Sequence, residues 1–327
     1  MIDPTLSRRA WLGGTCALAL SACSKREEPA RKVPTLRVGT MKGGAELILS
    51  AAGIVPQGLK LHFDEFTSGH LAVEAFNAGA LDFGAVSEIP PVFAAASSVQ
   101  SFRQIAVLQG DVNNQVVLVP KGSKIESLAD LKGKKVGFVR ATTSQYFLIQ
   151  MLKSVGLSWG DIEPIALGVP DGAAAFSQGA LDAWAVYGYA IQRAVANDGA
   201  RVLKTALGIL SGNYLAIAHV DALADPARRT AIGEYLRCYQ RGFAWEEQHS
   251  AEWARALSKE IGVAQPMVED QLAHRSSPWR LRPVNQATIR SQQAVADTFF
   301  DAGLIPRRVD VQPLWDDRFN AVLQGAS

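Results

Sequence analysis

"AFNAGALDFGAV" (Ala75 to Val86) is followed a hundred residues later by "AFSQGALDAWAV" (Ala175 to Val186). Eight of twelve positions agree: Ala75/Ala175, Phe76/Phe176, Gly79/Gly179, Ala80/Ala180, Leu81/Leu181, Asp82/Asp182, Ala85/Ala185 and Val86/Val186. In each copy a short helical run stops at a glycine and an apolar run follows. Glycine enters the left-handed conformation at no steric cost, so it can end a helix and release the chain into a strand. "TLRVGT" (Thr35 to Thr40) and "LKLHFDEF" (Leu59 to Phe66) supply two earlier strands to the first copy, with helices "GGAELILSAAG" and "GHLAVEAFNAG" between. "LKGKKVGFV" (Leu131 to Val139) and "DIEPIALG" (Asp161 to Gly168) do so for the second, with helices "SQYFLIQMLKSVG" and "AAAFSQG". This βαβαβ rhythm, written twice, predicts an α/β protein of two similar lobes, each an open, mostly parallel sheet flanked by helices.

The last third reads as helical. "DPARRTAIGEYLRCYQRGFAWEEQ" opens on Asp225–Pro226, an N-cap followed by proline in the first turn. Ile232, Tyr235, Leu236, Tyr239 and Phe243 form one apolar face, with Cys238 at its margin as a packing residue. "SAEWARALSKEIG" and "NQATIRSQQAVADTFFDAG" are further helices, the second bounded by Asn285 and Gly303. Two extended apolar runs, "NQVVLVPKGS" (Asn114 to Ser123) and "NYLAIAHVDA" (Asn213 to Ala222), are expected to pass between the lobes. Lobe one would then hold residues 35–118 and 219–327, and lobe two residues 119–218.

The N-terminus reads as an export signal over residues 1–22. A twin-arginine pair, Arg8 and Arg9, precedes "WLGGTCALALSA", about half the length of a membrane span. The run ends in "LSAC", so Cys23 is expected to be the lipidated first residue of the mature chain; an ordinary signal with a chance cysteine is the alternative. Residues 23–34 are too polar for a core and read as a tether. The formal net charge of +2 changes little when the signal leaves, which argues against nucleic-acid binding. Cys16 leaves with the signal, which strands Cys238 without a disulfide partner. The five histidines are scattered, so no metal or cofactor is expected.

Three segments follow strands of the two lobes: "MKGG" (Met41 to Gly44), "SEIPPVF" (Ser87 to Phe93) and "RATTSQ" (Arg140 to Gln145). Each suits a helix start, and Thr142 with Gln145 has capping-box spacing. Alone, each is an ordinary cap. Together they predict helix N-termini converging on one crevice, where unpaired amides hold an anion with several acceptor oxygens. No Gly-x-x-x-x-Gly-Lys-Ser/Thr loop occurs, so a nucleotide is disfavoured. Nor is there a Gly-x-Ser-x-Gly elbow or a histidine cluster beside a nucleophile, so no enzyme is expected.

At these residues the chain resembles the aliphatic sulfonate-binding proteins of bacterial ABC importers, within the taurine-, nitrate- and sulfonate-binding receptors. "ALDFGAVSEIPPVFAAA", "GALDAWAVYGY" and "HRSSPWRLRPVN" with "ADTFFDAGLIPRRVDV" carry the resemblance, which runs from about Leu36 to Trp315. It implies a type II periplasmic-binding-protein fold, a monomer that closes on a small organic anion such as an alkanesulfonate and delivers it to a membrane permease. The implied ligand positions are Lys42, Gly43, Ser87, Glu88, Ile89, Thr142, Thr143, Ser144 and Trp184, with Tyr187 where the pocket departs from the family. Trp184 would cover an alkyl tail or serve as a core tryptophan. Arg275 would be a rim cation or one half of a surface salt bridge. Glu88 stands where the family has Asp, and Tyr187-Gly188-Tyr189-Ala190 where it has Trp-Asp-Pro-Tyr. The alternative functions are a receptor for taurine, nitrate or another small anion or heterocycle, and a ligand-sensing adaptor for a membrane kinase.

Overall fold

The computed structural model describes residues 33–97 and 101–324; the expected signal, Cys23 and most of the tether lie outside them. Strands β1 (Thr35–Met41), β2 (Lys60–Phe66), β3 (Phe83–Ser87) and β4 (Phe102–Gln109) start one sheet. β5 (Gln115–Val119), β6 (Lys135–Phe138), β7 (Glu163–Ala166), β8 (Ala183–Tyr187) and β9 (Arg201–Thr205) build a second. β10 (Asn213–His219) and β11 (Arg280–Arg282) return to the first. Helices α1 (Ala45–Ala51), α2 (Gly69–Asn77) and α3 (Ile89–Ala96) follow β1, β2 and β3. α4 (Thr143–Ser154), α5 (Val169–Ser177) and α6 (Ala190–Asp198) follow β6, β7 and β8. α7 (Val220–Ala224), α8 (Pro226–Gln248), α9 (Ser250–Ile261), α10 (Gln265–Ala273), α11 (Gln286–Asp301) and α12 (Asn320–Gln324) complete the described chain. No helix among the described residues is long and apolar enough to cross a membrane.

The two sheets have one topology. Their orders are β2-β1-β3-β10-β4-β11 and β7-β6-β8-β5-β9, so β1, β2 and β3 correspond to β6, β7 and β8. The repeated segment is where that correspondence is strictest. Gly79 and Gly179 take φ of 70° and 72°, and each amide donates to the carbonyl of the preceding phenylalanine, Phe76 or Phe176. Leu81 then packs against Gly39 of β1, and Leu181 against Gly137 of β6, where an added Cβ would come within 2.8 and 2.5 Å of the leucines. Asp82 accepts from the Arg37 amide at 3.0 Å, and Asp182 from the Lys135 amide at 2.8 Å. The shared residues are therefore one helix-to-strand corner used twice.

Two expectations need correction. Each sheet is mixed rather than mostly parallel, because β10 runs antiparallel to β3 and β4, and β5 antiparallel to β8 and β9. These are the extended runs expected to be interlobe connections. They are instead internal strands, and their continuous apolarity reflects burial on both faces. The chain crosses just ahead of them, at residues 110–114 and 206–212, where the Gly110 amide donates to the Gly212 carbonyl at 3.0 Å. Each crossing chain thus enters its new sheet opposite in direction to the strand it joins.

The cores follow the sheets. Tyr235, Leu236, Tyr239 and Phe243 of α8 pack with Leu36, Val38, Ile105 and Ala218 on one face of the first sheet, with Cys238 buried among them. α4 covers the second sheet through Phe147, Leu148, Met151 and Leu152. A further cluster joins Ile89 and Val92 of α3 with Ile289 and Phe299 of α11 and with Tyr146 and Ile149 of α4. That cluster holds the start of α4 against the first lobe.

Candidate functional site

A cleft of ≈ 680 Å³ lies where the carboxyl ends of both sets of parallel strands face each other. Met41 and Lys42 enter it ahead of α1, Gly69 begins α2, and Ser87 and Pro90 flank the start of α3. From the other side come Thr142 and Thr143 of α4, Val169 and Pro170 of α5, and Tyr187 to Ala190 leading into α6. The arrangement follows from the topology, since every βα unit turns over at the same end of its sheet.

The turn from β6 into α4 has unusual local chemistry. Ala141 adopts φ of 55°, the only non-glycine residue with positive φ among the described residues. Its amide donates to Gln145 Oε1 at 2.8 Å, and Ser144 Oγ accepts from the Val139 amide at 2.9 Å. Thr142 occupies the N-cap position but turns its hydroxyl back to the Val139 carbonyl at 2.7 Å, with no cap bond to the helix. The capping box expected between Thr142 and Gln145 therefore does not form. All three polar side chains brace the strained turn, and the first amides of α4 are left without a capping side chain beside the cleft.

The structure brings Lys42, Ser87, Thr142, Thr143 and Tyr187 together around the cleft. Burial pushes the Tyr187 hydroxyl up to about 12, moderated by Thr142, so it stays protonated and available as a donor. Five expected positions lie elsewhere, Gly43 among them on a separate inner chamber. Trp184 is fully buried in β8 against Phe176, and its indole nitrogen has no partner; β8 alternates, and Trp184 points away from the cleft into the second lobe. Ile89 is core between α3, α4 and α11. Ser144 is wholly buried in the turn it braces. Glu88 is 4% exposed and turned from the cleft, accepting from Ser211 Oγ at 2.6 Å, Asn213 Nδ2 at 3.2 Å and Ser291 Oγ at 3.2 Å. Burial raises its pKa against those three bonds. Glu88 thus fastens α3 to the second crossing segment and to α11, and the anion-repelling carboxylate is out of the cleft.

Arg193, Asn114 and Tyr214 were not singled out by the sequence as site residues. Arg193 of α6 lines the cleft, and its guanidinium donates to the Ile261 carbonyl at the end of α9. Asn114, Tyr189 and Tyr214 line both the cleft and an inner chamber of ≈ 200 Å³, which Gly43 also borders. Arg275 lies in that chamber, paired with Glu246 at 2.8 Å and largely buried, so it is neither a rim cation nor a surface bridge. Burial raises Glu246 to about 7 despite the opposing charge of Arg275. The one available signal was the aromatic spacing of α8, which reads equally as core. No group of three or more His, Cys, Asp or Glu among the described residues is arranged to hold a metal ion.

The NMT1/THI5-like family model matches residues 55–225, more than half of the chain, spanning β2 through α7 and most of the cleft. The chain belongs to the NMT1/THI5-like family. A relative from Escherichia coli (strain K12), provisionally named an aliphatic sulfonates-binding protein, is 30% identical over 311 residues, 93% of this chain and 94% of its own length. Among solved structures, the alkanesulfonate-binding protein SsuA from Xanthomonas axonopodis pv. citri bound to MOPS is 28% identical, with a TM-score of 0.80 over 86% of this chain and 98% of that one. The periplasmic aliphatic sulphonate binding protein SsuA from Escherichia coli is 30% identical, with a TM-score of 0.75 over 88% and 99%. This NMT1/THI5-like chain accordingly has the periplasmic-binding-protein fold of those neighbours.

Proposed function

We propose that this protein is the substrate-binding lipoprotein of an ABC importer, capturing a small organic anion, an aliphatic sulfonate, in the interlobe cleft and handing it to a membrane permease. The observation that carries this reading is the uncapped first turn of α4 beside the cleft, with the starts of α2, α3, α5 and α6 around it. A sulfonate is ionised at any physiological pH, so fixed neutral amides suffice to hold it and no proton need move. The names of the relatives support the same ligand class. Binding without turnover fits a cleft whose lining contains neither histidine nor cysteine, Cys238 being buried in the first lobe's core. Exported by the twin-arginine signal and anchored through Cys23, the working protein would sit in the periplasm or at the cell surface. Cys23→Ala is expected to move it from the membrane to the soluble fraction.

The direct test is thermal unfolding of the mature chain with alkanesulfonates, taurine, sulfate and nitrate. A sulfonate at a hundred times its dissociation constant stabilises the folded form by about 2.7 kcal/mol. Absence of any shift with every sulfonate sinks the assignment.

A further inference from the structure

Glu88 stands where both lobes and both crossings meet. It is the N-cap residue of α3, next to Ser87 of the cleft. Its carboxylate accepts from Ser211 in the second crossing, from Asn213 just beyond it and from Ser291 of α11. Its backbone carbonyl accepts from Gln292 Nε2 at 3.2 Å. Beside it lies a void of ≈ 10 Å³, room for about one water. The walls of that void come from every side of the hinge. Ile89 and Val295 belong to the first lobe, Gln115 and Thr143 to the second, and Val112 and Leu210 to the two crossings. Neither lobe alone encloses the Glu88 carboxyl; its burial depends on how the two lobes meet.

The three side chains that bind this carboxylate are neutral donors. Its titratable neighbours are the Tyr146 hydroxyl of α4 and the Tyr214 hydroxyl of β10, both pushed up chiefly by burial and so uncharged at working pH. On α11 the arginine before Ser291, Arg290, is exposed to solvent. Burial therefore dominates, and it holds the Glu88 carboxyl above the usual glutamate range against its three hydrogen bonds. In this arrangement Arg193 ties α6 to the end of α9, so the lobes are closed on one another. Rotation at the crossings draws Gln115 and Thr143 away from Ile89 and Val295, and water then reaches the carboxylate. In the open form Glu88 titrates near the ordinary glutamate value, and in the closed form above it. A group binds a proton more tightly in the state where its pKa is higher, so closing takes up a proton.

We propose that Glu88 is a proton-binding hinge residue, whose carboxyl is enclosed as the lobes close on a ligand and gains a proton as it is enclosed. Capture thus tightens as pH falls from the raised value toward the ordinary one and levels off below that, although neither a sulfonate nor the amides that hold it titrate there. The inference rests on the anion-binding closure described above and adds the proton as a second bound species.

The test is calorimetric titration of the mature protein with propane-1-sulfonate from about pH 8 to about pH 5, in buffers of different ionisation heat, which counts the protons taken up. Glu88→Gln sets a neutral donor and acceptor where the protonated acid stands. The unsubstituted protein is expected to take up protons and to bind at least about threefold tighter at the acid end. Glu88→Gln is expected to take up none and to bind equally at both ends. Ser291→Ala removes one donor to the carboxylate, so the midpoint of the pH profile is expected to move to higher pH. Binding without proton uptake overturns the inference and leaves the sulfonate assignment intact. Uptake retained in Glu88→Gln assigns the proton to another group, such as Glu246 at about 7, and overturns it as well. Should Glu88→Gln not fold, the Ser291→Ala midpoint decides, and an unmoved midpoint overturns the inference. Should propane-1-sulfonate not bind, the scattering radius of the unliganded protein decides: it is expected to shrink toward acid pH, and a radius independent of pH overturns the inference.

Discussion

Asp82 and Asp182 occupy matching places in the repeat and accept the same backbone bond, yet their surroundings differ. Asp182 is exposed and holds the Lys135 amide. Asp82 is 1% exposed and also accepts from Arg37 Nη2 at 2.8 Å and Arg228 Nη1 at 3.2 Å. Burial opposes its ionisation, but the bonds and charge of Arg37, with the charge of Arg228, outweigh that and hold its pKa below the ordinary value. Both arginines are partly exposed, which discounts the pairing energy. Asp82→Asn is therefore expected to cost about 2 kcal/mol, and Asp182→Asn under about 1 kcal/mol. Because the folded pKa is depressed, the Asp82 contribution is complete above the ordinary aspartate value and is lost as pH falls through the depressed one. The difference between wild type and Asp82→Asn in urea midpoints should accordingly be full at pH 7 and shrink toward pH 3. Nothing in the twelve repeated residues distinguishes these two aspartates, since Arg228 reaches Asp82 from a helix 146 residues away.

Among the elements, α4 makes the sharpest test of how the anion is held. Thr143 is its first residue, preceded by Thr142 at φ −132° and ψ 178°. Those angles suit a residue before proline, and the first helical position tolerates proline. Thr143→Pro thus removes one amide hydrogen with little damage to the helix. It is expected to lower sulfonate affinity by about tenfold, with thermal stability within about 1 kcal/mol of wild type. Thr143→Val, which keeps the amide, should retain most of the affinity; equal losses in both variants would assign the effect to the side chain. The helix starts were legible because proline, threonine and glycine punctuate them. Which polar atoms remain free was not, because Thr142 chose the Val139 carbonyl over its own helix, a competition between two local bonds that residue spacing leaves undecided. β4, central to the first sheet's antiparallel half, carried no distinguishing pattern, being buried on both faces.

Across the whole molecule the cleft is tied at its mouth. Arg193 on α6 donates to the Ile261 carbonyl at the end of α9, and Tyr189 packs into the first lobe's core beside it. Arg193→Ala should weaken sulfonate binding several-fold and enlarge the small-angle scattering radius of the unliganded protein, with ligand restoring compactness. An unchanged radius in both states would mean that the tie does not set closure. The duplicated corner, the alternation of strand and helix and the glycine stops are local consequences of backbone sterics, so two α/β lobes opening on a shared crevice could be read directly from residue order. Where the chain crosses and which partners draw Glu88 out of the cleft depend on contacts between segments more than a hundred residues apart. Local preference carries no information about such pairings: they arise when packing brings the side chains within a few ångströms.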